Sequence, residues 1–361
     1  MNFAHPSQTS GVNMDVNFVL IASTVTLIVL FDYTNGFHDA SNILGTLVAS
    51  RAMTPAQGVV LVGTFHFIGP ILGGTAVANT IGKFVEIGDL PSTLSILVIF
   101  CSICGAVAWN LITWWFGMPS SSSHALVGGL MGGVVAAAGS DHVVWGFYQL
   151  TQGHITGVTK VLLSLFLSPL FGFVVGFSIH RLMRILLRSA RSTANLNIKR
   201  AQWLTAAGLS FAHGANDAQK SMGIITLVLV LGGYLPEFQI PMWAILVCAT
   251  AITLGTISGG WRIVRTIGFG IYRIRPLHAL DAQLTSGGVI FLASIFGAPV
   301  STTHVVGSSI MGIGTSEWPK AVRWGKAQEI IATWMITIPG SALMAAVIYA
   351  AIKAGFSIDS L

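Results

Sequence analysis

Apolar residues run along this chain in long stretches separated by short polar loops. Runs of spanning length fall at 18–50, 57–81, 92–117, 121–139, 158–181, 202–231, 241–260, 280–297, 300–315 and 328–353. None has the short strict alternation of a barrel strand, so each is predicted as a helix. The first and sixth runs are interrupted by polar residues at mid-length. The pattern predicts an all-α polytopic membrane protein, with broken helices or re-entrant hairpins near the midplane. It divides into an N-terminal lead at 1–17, a first transmembrane repeat at 18–183, a basic linker at 184–201, a second, inverted transmembrane repeat at 202–353 and a C-terminal tail at 354–361. No separate signal peptide is read in the polar lead.

Composition narrows the classes further. Of 361 residues 53% are hydrophobic and only 8% charged, against about 25% charged in a soluble domain. So few charges cannot cover a water-exposed surface, which excludes soluble enzymes, disulfide scaffolds, coiled coils and disordered chains. The 41 glycines fit close helix approach in a bilayer. The net charge of +6 does not signal nucleic acid, because the cations sit in short inter-helix loops rather than on one soluble face. Cys101 and Cys104 share a helix face and read as small buried residues rather than a redox or metal pair.

The positions of those cations predict an orientation. Arg51, Arg181, Arg184, Arg188, Arg191, Lys199, Arg200, Arg262, Arg265, Arg273, Arg275, Lys320, Arg323 and Lys326 fall on one side if each run crosses or returns. The other side receives Lys83, Lys160 and Lys353, with Glu86, Asp89, Asp141 and Glu237. The positive-inside rule makes the arginine-rich side cytoplasmic and puts both termini outside. The expected location is the inner or plasma membrane of a cell.

Two motifs occur twice, about 180 residues apart. Gly36-Phe37-His38-Asp39-Ala40 matches Gly214-Ala215-Asn216-Asp217-Ala218, and Pro119-Ser120-Ser121-Ser122-Ser123-His124 matches Pro299-Val300-Ser301-Thr302-Thr303-His304. Met131-Gly132 matches Met311-Gly312, and Pro169 and Pro339 fall late in each half. An odd number of runs per half forces the halves into opposite orientations, the plan of many secondary transporters.

The first motif places carboxylates at membrane depth, where they persist only if they bind something or face water. Asp39 and Asp217 are candidate ligands for Na⁺ or carriers of H⁺. Adjacent glycines are expected to permit an unwound backbone, and Asn35, Asn42 and Asn216 offer the neutral oxygens that hard cations take. Asp32, two turns before Asp39, has no acidic counterpart. Lys220 is the one cation placed inside the bilayer; it either attracts an anion or pairs with Asp217. In the second motif, Pro-Ser opening an apolar run is a helix start. Ser121, Ser122, Ser123, Ser301, Thr302 and Thr303 would set hydroxyls and free N–H groups at two helix N-termini, an anion site for a tetrahedral oxyanion. His124 and His304 would orient these tips or take a proton; His38 and His213 flank the aspartates, and His66 reads as packing. Symmetric pairs of hydroxyls and carboxylates do not resemble a hydrolase, which needs one nucleophile with one oriented base. No Walker loop or HExxH motif occurs. The expectation is no enzyme and no resident cofactor.

TNGFHDASN, HGANDAQKS, MPSSSSHALVGG and APVSTTHVVGSSIMG, in this order over Thr34 to Gly312, resemble the signatures of the inorganic phosphate transporter (PiT) family. The resemblance implies a carrier on an inverted repeat that imports inorganic phosphate by symport with Na⁺, or with H⁺ and phosphate travelling as a divalent metal complex. It implies cation-site roles for Asp39, Asn42, Asn216 and Asp217 and phosphate-site roles for the Ser/Thr tips. Ala40-Ser41-Asn42 departs mildly from the usual Thr-Ala-Asn, and the linker between halves is short. A sulfate carrier on the same scaffold, a membrane-embedded Ser/His hydrolase and a channel are the rival readings. The expected partners are inorganic phosphate and the lipid bilayer, with a homodimer left open.

Overall fold

A backbone without water to bond to must satisfy itself, and within apolar runs the helix does so locally. The computed structural model, which describes residues 9–191 and 193–355, is accordingly helical throughout, with only an isolated bridge between Val85 and Val143 among the described residues. The first half contains α1 (Thr9–Ala49), α2 (Pro55–Leu72), α3 (Ala76–Gly82), α4 (Ser92–Trp115), α5 (Ser122–Ala138), a short α6 (Phe147–Thr151) and α7 (Gly157–Leu186). The second contains α8 (Ala194–Leu231), α9 (Met242–Ser258), α10 (Trp261–Arg265) continuing into a π turn at Thr266–Gly270, α11 (Pro276–Ile295), α12 (Thr302–Glu317) and α13 (Trp324–Gly355).

Among the described residues, five helices are long and apolar enough to cross a membrane: α1 from Asn17, α2, α4, α7 and α13. The pair Met242–Ser258 and Trp261–Gly270, bent by 62°, makes a sixth as one broken span. α8 is 38 residues long, but its buried polar motif interrupts the apolar run. α5 and α12, at 17 and 16 residues, are short and follow α4 and α11 across tight tips at 117–121 and 297–301, so each pair forms a hairpin.

One sequence expectation needs correction. The aspartate motifs do not unwind their helices: α1 is continuous through Gly36–Asn42 and α8 through Gly214–Lys220. The breaks lie instead after α2, between α9 and α10, and at the two hairpin tips. The glycines serve close approach. A Cβ on Gly36 would lie 2.2 Å from the Ile252 carbonyl oxygen of α9, and one on Gly214 would lie 2.8 Å from the His66 carbonyl oxygen of α2. Helices also run past the repeat bounds read from the sequence. α1 already begins at Thr9, inside the segment read as a lead, and helices α7 and α8 consume most of the segment read as a linker. Residues 356–361 of the expected tail lie outside the described residues.

Helices from the two halves pack in reciprocal fashion. α1 lies on α9 and α8 on α2; α5 lies on α13 and α12 on α7. Gly132 of α5 meets Ala342 of α13, and Gly312 of α12 meets Phe173 of α7, so the repeated Met-Gly pair makes the same kind of contact twice. The tips are held reciprocally as well. Thr80 of α3 donates to the Gly297 carbonyl (2.7 Å), and Thr266, beyond α10, donates to the Gly117 carbonyl (2.9 Å). Arg262 donates to the Trp115 carbonyl at the C-terminus of α4 and stacks over the Trp115 ring, 4.5 Å from its centroid. A cation there complements the helix dipole.

Loop charges sort to two ends. Arg51, Lys199, Arg273, Arg275 and Arg323 line one cavity. Glu86, Asp89, Asp141 and His142 line another, where His142 Nε2 lies 3.3 Å from Asp89.

Gly36→Val should lower stability by about 1–3 kcal/mol, because the new side chain meets backbone that cannot yield. Gly288→Ala, inside α11 where nothing lies within 4 Å of the new Cβ, should leave the melting temperature of the detergent-solubilised protein no lower, or raise it slightly.

Candidate functional site

The two tips meet at the middle of the molecule, each opening a helix N-terminus. Ser121 Oγ accepts from the His124 N–H and Ser301 Oγ from the His304 N–H, both at 3.2 Å, so each serine is the N-cap of its helix. His124 and His304 face each other with ring centroids 4.4 Å apart, and His304 stacks on Trp334 of α13 at 4.0 Å. Ser123 Oγ of the first tip donates to the Val300 carbonyl of the second at 3.2 Å.

The aspartates of α1 and α8 lie directly against these tips. Asp39 is 1% and Asp217 0% exposed. Ser122 Oγ contacts Asp39 Oδ2 and Asn35 Oδ1, the latter at 2.8 Å. Thr303, from the other half, donates to Asp39 Oδ1 at 2.9 Å. His38 Nδ1 lies 2.7 Å from the same oxygen, and its Nε2 lies 3.1 Å from Thr113 Oγ1. Asn42 Nδ2 donates to Thr303 Oγ1 and to the Asp39 carbonyl, both at 2.9 Å. Around Asp217, Thr302 donates to Oδ2 at 3.3 Å, and His213 Nε2 lies 3.3 Å from the same atom. Lys220 Nζ, 2% exposed, lies 2.5 Å from Asp217 Oδ1 and also donates to Ser123 Oγ at 2.5 Å and to the Val300 carbonyl at 3.1 Å. Of the two roles open to Lys220 in the sequence, the pairing with Asp217 is the one this structure displays.

Every residue singled out in the two motif pairs therefore falls in one connected cluster. Asn216 reaches it through Ser294 Oγ (2.9 Å) and the Ala298 carbonyl in the second tip (3.3 Å). Asp39, Asp217 and His213 each offer a ligand atom, and those atoms lie within 4.8 Å of one another. The side-chain oxygens of Asn42 and Asn216 are buried without a hydrogen-bond partner, leaving two neutral acceptors beside two carboxylates. That donor set suits a hard cation. Asp32 stands one layer away, accepting from Ser221 at 2.6 Å. His66 stacks on His213 at 4.6 Å and lies 2.8 Å from Thr256 Oγ1.

A second buried cluster escaped sequence reasoning. His180 Nδ1 lies 2.7 Å from Asp281, and His278 Nε2 lies 2.6 Å from Glu317, which also accepts from Tyr272 at 2.7 Å. These residues come from α7, α11, α12 and a loop, with no shared motif and no repeat counterpart to mark them.

Buried charge gathered between paired hairpins of an apolar helical bundle is the arrangement of a polytopic membrane transport protein. A solved structure titled "The sodium-dependent phosphate transporter" has the same fold, with a TM-score of 0.83 over 93% of this chain and 99% of that one, at 23% identity. The chain belongs to the phosphate transporter family, whose profile matches residues 35–345. It is 41% identical to a probable low-affinity inorganic phosphate transporter of Bacillus subtilis, over 93% of this chain and 98% of that protein. It is 38% identical to one of Rhizobium meliloti, over 92% and 96%. These relatives are transporters, which sets aside the hydrolase reading.

Ser121→Ala and Ser301→Ala each remove a helix cap and should each lower stability by about 1 kcal/mol, read as a fall in melting temperature. A stability unchanged in both would show that the caps do not hold the tips.

Proposed function

We propose that this protein imports inorganic phosphate by symport with a cation, Na⁺ or H⁺, through alternating access. The observation that carries the reading is the direct contact of the tip hydroxyls with the aspartates. Ser122 and Thr303 lie on Asp39, and Thr302 lies on Asp217. An anion brought to Ser121–Ser123 and Ser301–Thr303 would sit against two carboxylates and be repelled. A cation at Asp39, with Asn35 and Asn42, or at Asp217, with Asn216, removes that repulsion. Loading then becomes concerted: the cation neutralises the carboxylates, the hydroxyls turn from carboxylate to phosphate, and the helix N-termini add their dipoles. Coupling is thus a linkage between two ligands of one site.

The two halves act as inverted repeats, 18–183 and 202–353 in outline. The reciprocal packing of α1 on α9 and α8 on α2, and of each hairpin on the last helix of the other half, supports this. Exchange of access would come from one set of packed elements rocking against the other around the fixed site. The separation of loop charges to two ends supports the arginine-rich end as cytoplasmic, with both termini outside. Cargo travelling as a divalent metal phosphate, and assembly as a homodimer, are compatible with this scheme.

Labelled phosphate uptake into proteoliposomes tests the reading, with Na⁺ and pH gradients imposed separately. One gradient should drive accumulation, and Asp39→Asn should abolish it while leaving the protein folded. Undiminished gradient-driven uptake by Asp39→Asn would overturn the mechanism; suppression of uptake by excess sulfate would redirect it to a sulfate carrier. Orientation is tested by single cysteines in a chain freed of its own three: Glu86→Cys should react with an impermeant maleimide added outside cells, and Lys320→Cys should not.

A further inference from the structure

The repeat register that aligns Asp39 with Asp217 continues past the aspartates, and three residues on it aligns Asn42 with Lys220. Two contacts of the tips at this level are matched between the halves. Ser122 lies on Asp39 as its counterpart Thr302 lies on Asp217. Thr303 of the opposite tip lies on Asn42 as its counterpart Ser123 lies on Lys220. Where the first half has a neutral amide, the second has an ammonium.

That ammonium is placed as a bound cation would be. Its three N–H groups have three oxygen acceptors: a carboxylate, a hydroxyl and a backbone carbonyl, at 2.5–3.1 Å. They are the oxygen types that coordinate a hard cation. In the first half the corresponding region holds no fixed charge beyond Asp39 and its His38 neighbour, and the Asn42 carbonyl oxygen is buried and unpartnered. A buried carboxylate needs compensation, and Asp217 has an ammonium built into its own helix three residues away, whereas Asp39 has imidazoles, His38 beside it and His213 within 4.8 Å, and hydroxyl donors.

We propose that Lys220 is a tethered cation that permanently occupies the second-half cation position, so that only the Asp39 half-site takes up a coupling cation. This rests on the symport reading and adds a count to it. Each phosphate is accompanied by one cation fewer than the two carboxylates alone would demand. The tether also places a fixed positive charge between the tips, next to Ser123 and Val300, in every state of the cycle.

The test is the coupling exponent of Lys220→Asn, which gives the second half the amide of the first. Proteoliposomes are clamped at zero membrane potential under a tenfold inward gradient of whichever cation drives the wild type, and the equilibrium phosphate ratio is read. One additional coupled cation raises that ratio about tenfold. Lys220→Asn should show this rise, and an exponent equal to the wild type in a transporting variant would overturn the proposal. A variant that does not transport is read by binding instead. The driving cation, titrated as Na⁺ at fixed pH or as H⁺ at fixed Na⁺, should raise the melting temperature of purified Lys220→Asn more steeply than that of the wild type, because a vacated oxygen cage gains an ion. Equal slopes would overturn the proposal. The double variant Asp217→Asn/Lys220→Met covers the case in which Lys220→Asn does not fold. It removes the tethered ion together with its carboxylate and should keep the wild-type dependence of melting temperature on the driving cation, whereas a shallower dependence would mean that Asp217 held a coupling cation. Failure of the symport reading looks different, since the wild type itself would then show no gradient-driven accumulation.

Discussion

Two carboxylates with almost no exposure to solvent govern this molecule. A buried charge is costly unless it is paired and hydrogen-bonded, and beside His38 and Lys220 on their own helices, Asp39 and Asp217 take donors brought from far away in the chain. Those groups are the hydroxyls at the hairpin tips. Thr303 reaches Asp39 across 264 residues of sequence, and Thr302 reaches Asp217 across 85. The tips must stop at the level of the aspartates for this to happen, so α5 and α12 are short and turn back. Everything that fixes the tips therefore fixes the site: the Thr80 and Thr266 bonds to the tip carbonyls, the serine N-caps, and the Trp334 indole that donates to the Pro119 carbonyl at 3.0 Å.

Packing without side chains sets the depth of the aspartates. Gly36 and Gly214 sit one turn before them and let α1 and α8 approach their partner helices at backbone contact. In a bilayer there is little hydrophobic drive between helices, so close van der Waals approach takes its place. The same positions looked in the sequence like points of unwinding. They are instead where two intact helices touch, and the irregular backbone lies where a ligand would need free N–H groups. Membrane proteins tolerate irregular backbone where it lines a site, and the tips at 117–121 and 297–301 meet that condition.

Much of the site was legible because it is written twice. Duplication marked Asp39 with Asp217 and the serine run with Val300-Ser301-Thr302-Thr303, and duplication of polar residues in apolar runs is hard to reconcile with packing alone. The helical class and the hairpins followed from run lengths and charge positions. Other features were not legible. The continuity of α1 and α8 depends on contacts with α9 and α2 that no local pattern encodes. The convergence of His213 with both aspartates is a tertiary fact, as is the His180–Asp281 and His278–Glu317 cluster, whose members share no spacing. The match of Asn42 with Lys220 was present in the sequence, but it acquires meaning only once the two side chains are seen against equivalent hydroxyls.

The central claim is that phosphate and the coupling cation occupy one site and require each other. Equilibrium binding of phosphate to the purified protein tests it most directly, titrated by calorimetry in the presence and absence of Na⁺ at fixed pH, and again in Na⁺-free buffer at lower pH. Linkage of this kind typically changes affinity about 5–150-fold. The account predicts an increase in that range with one of the two cations, lost when Asp39 is replaced by Asn. Phosphate affinity indifferent to both cations would contradict it.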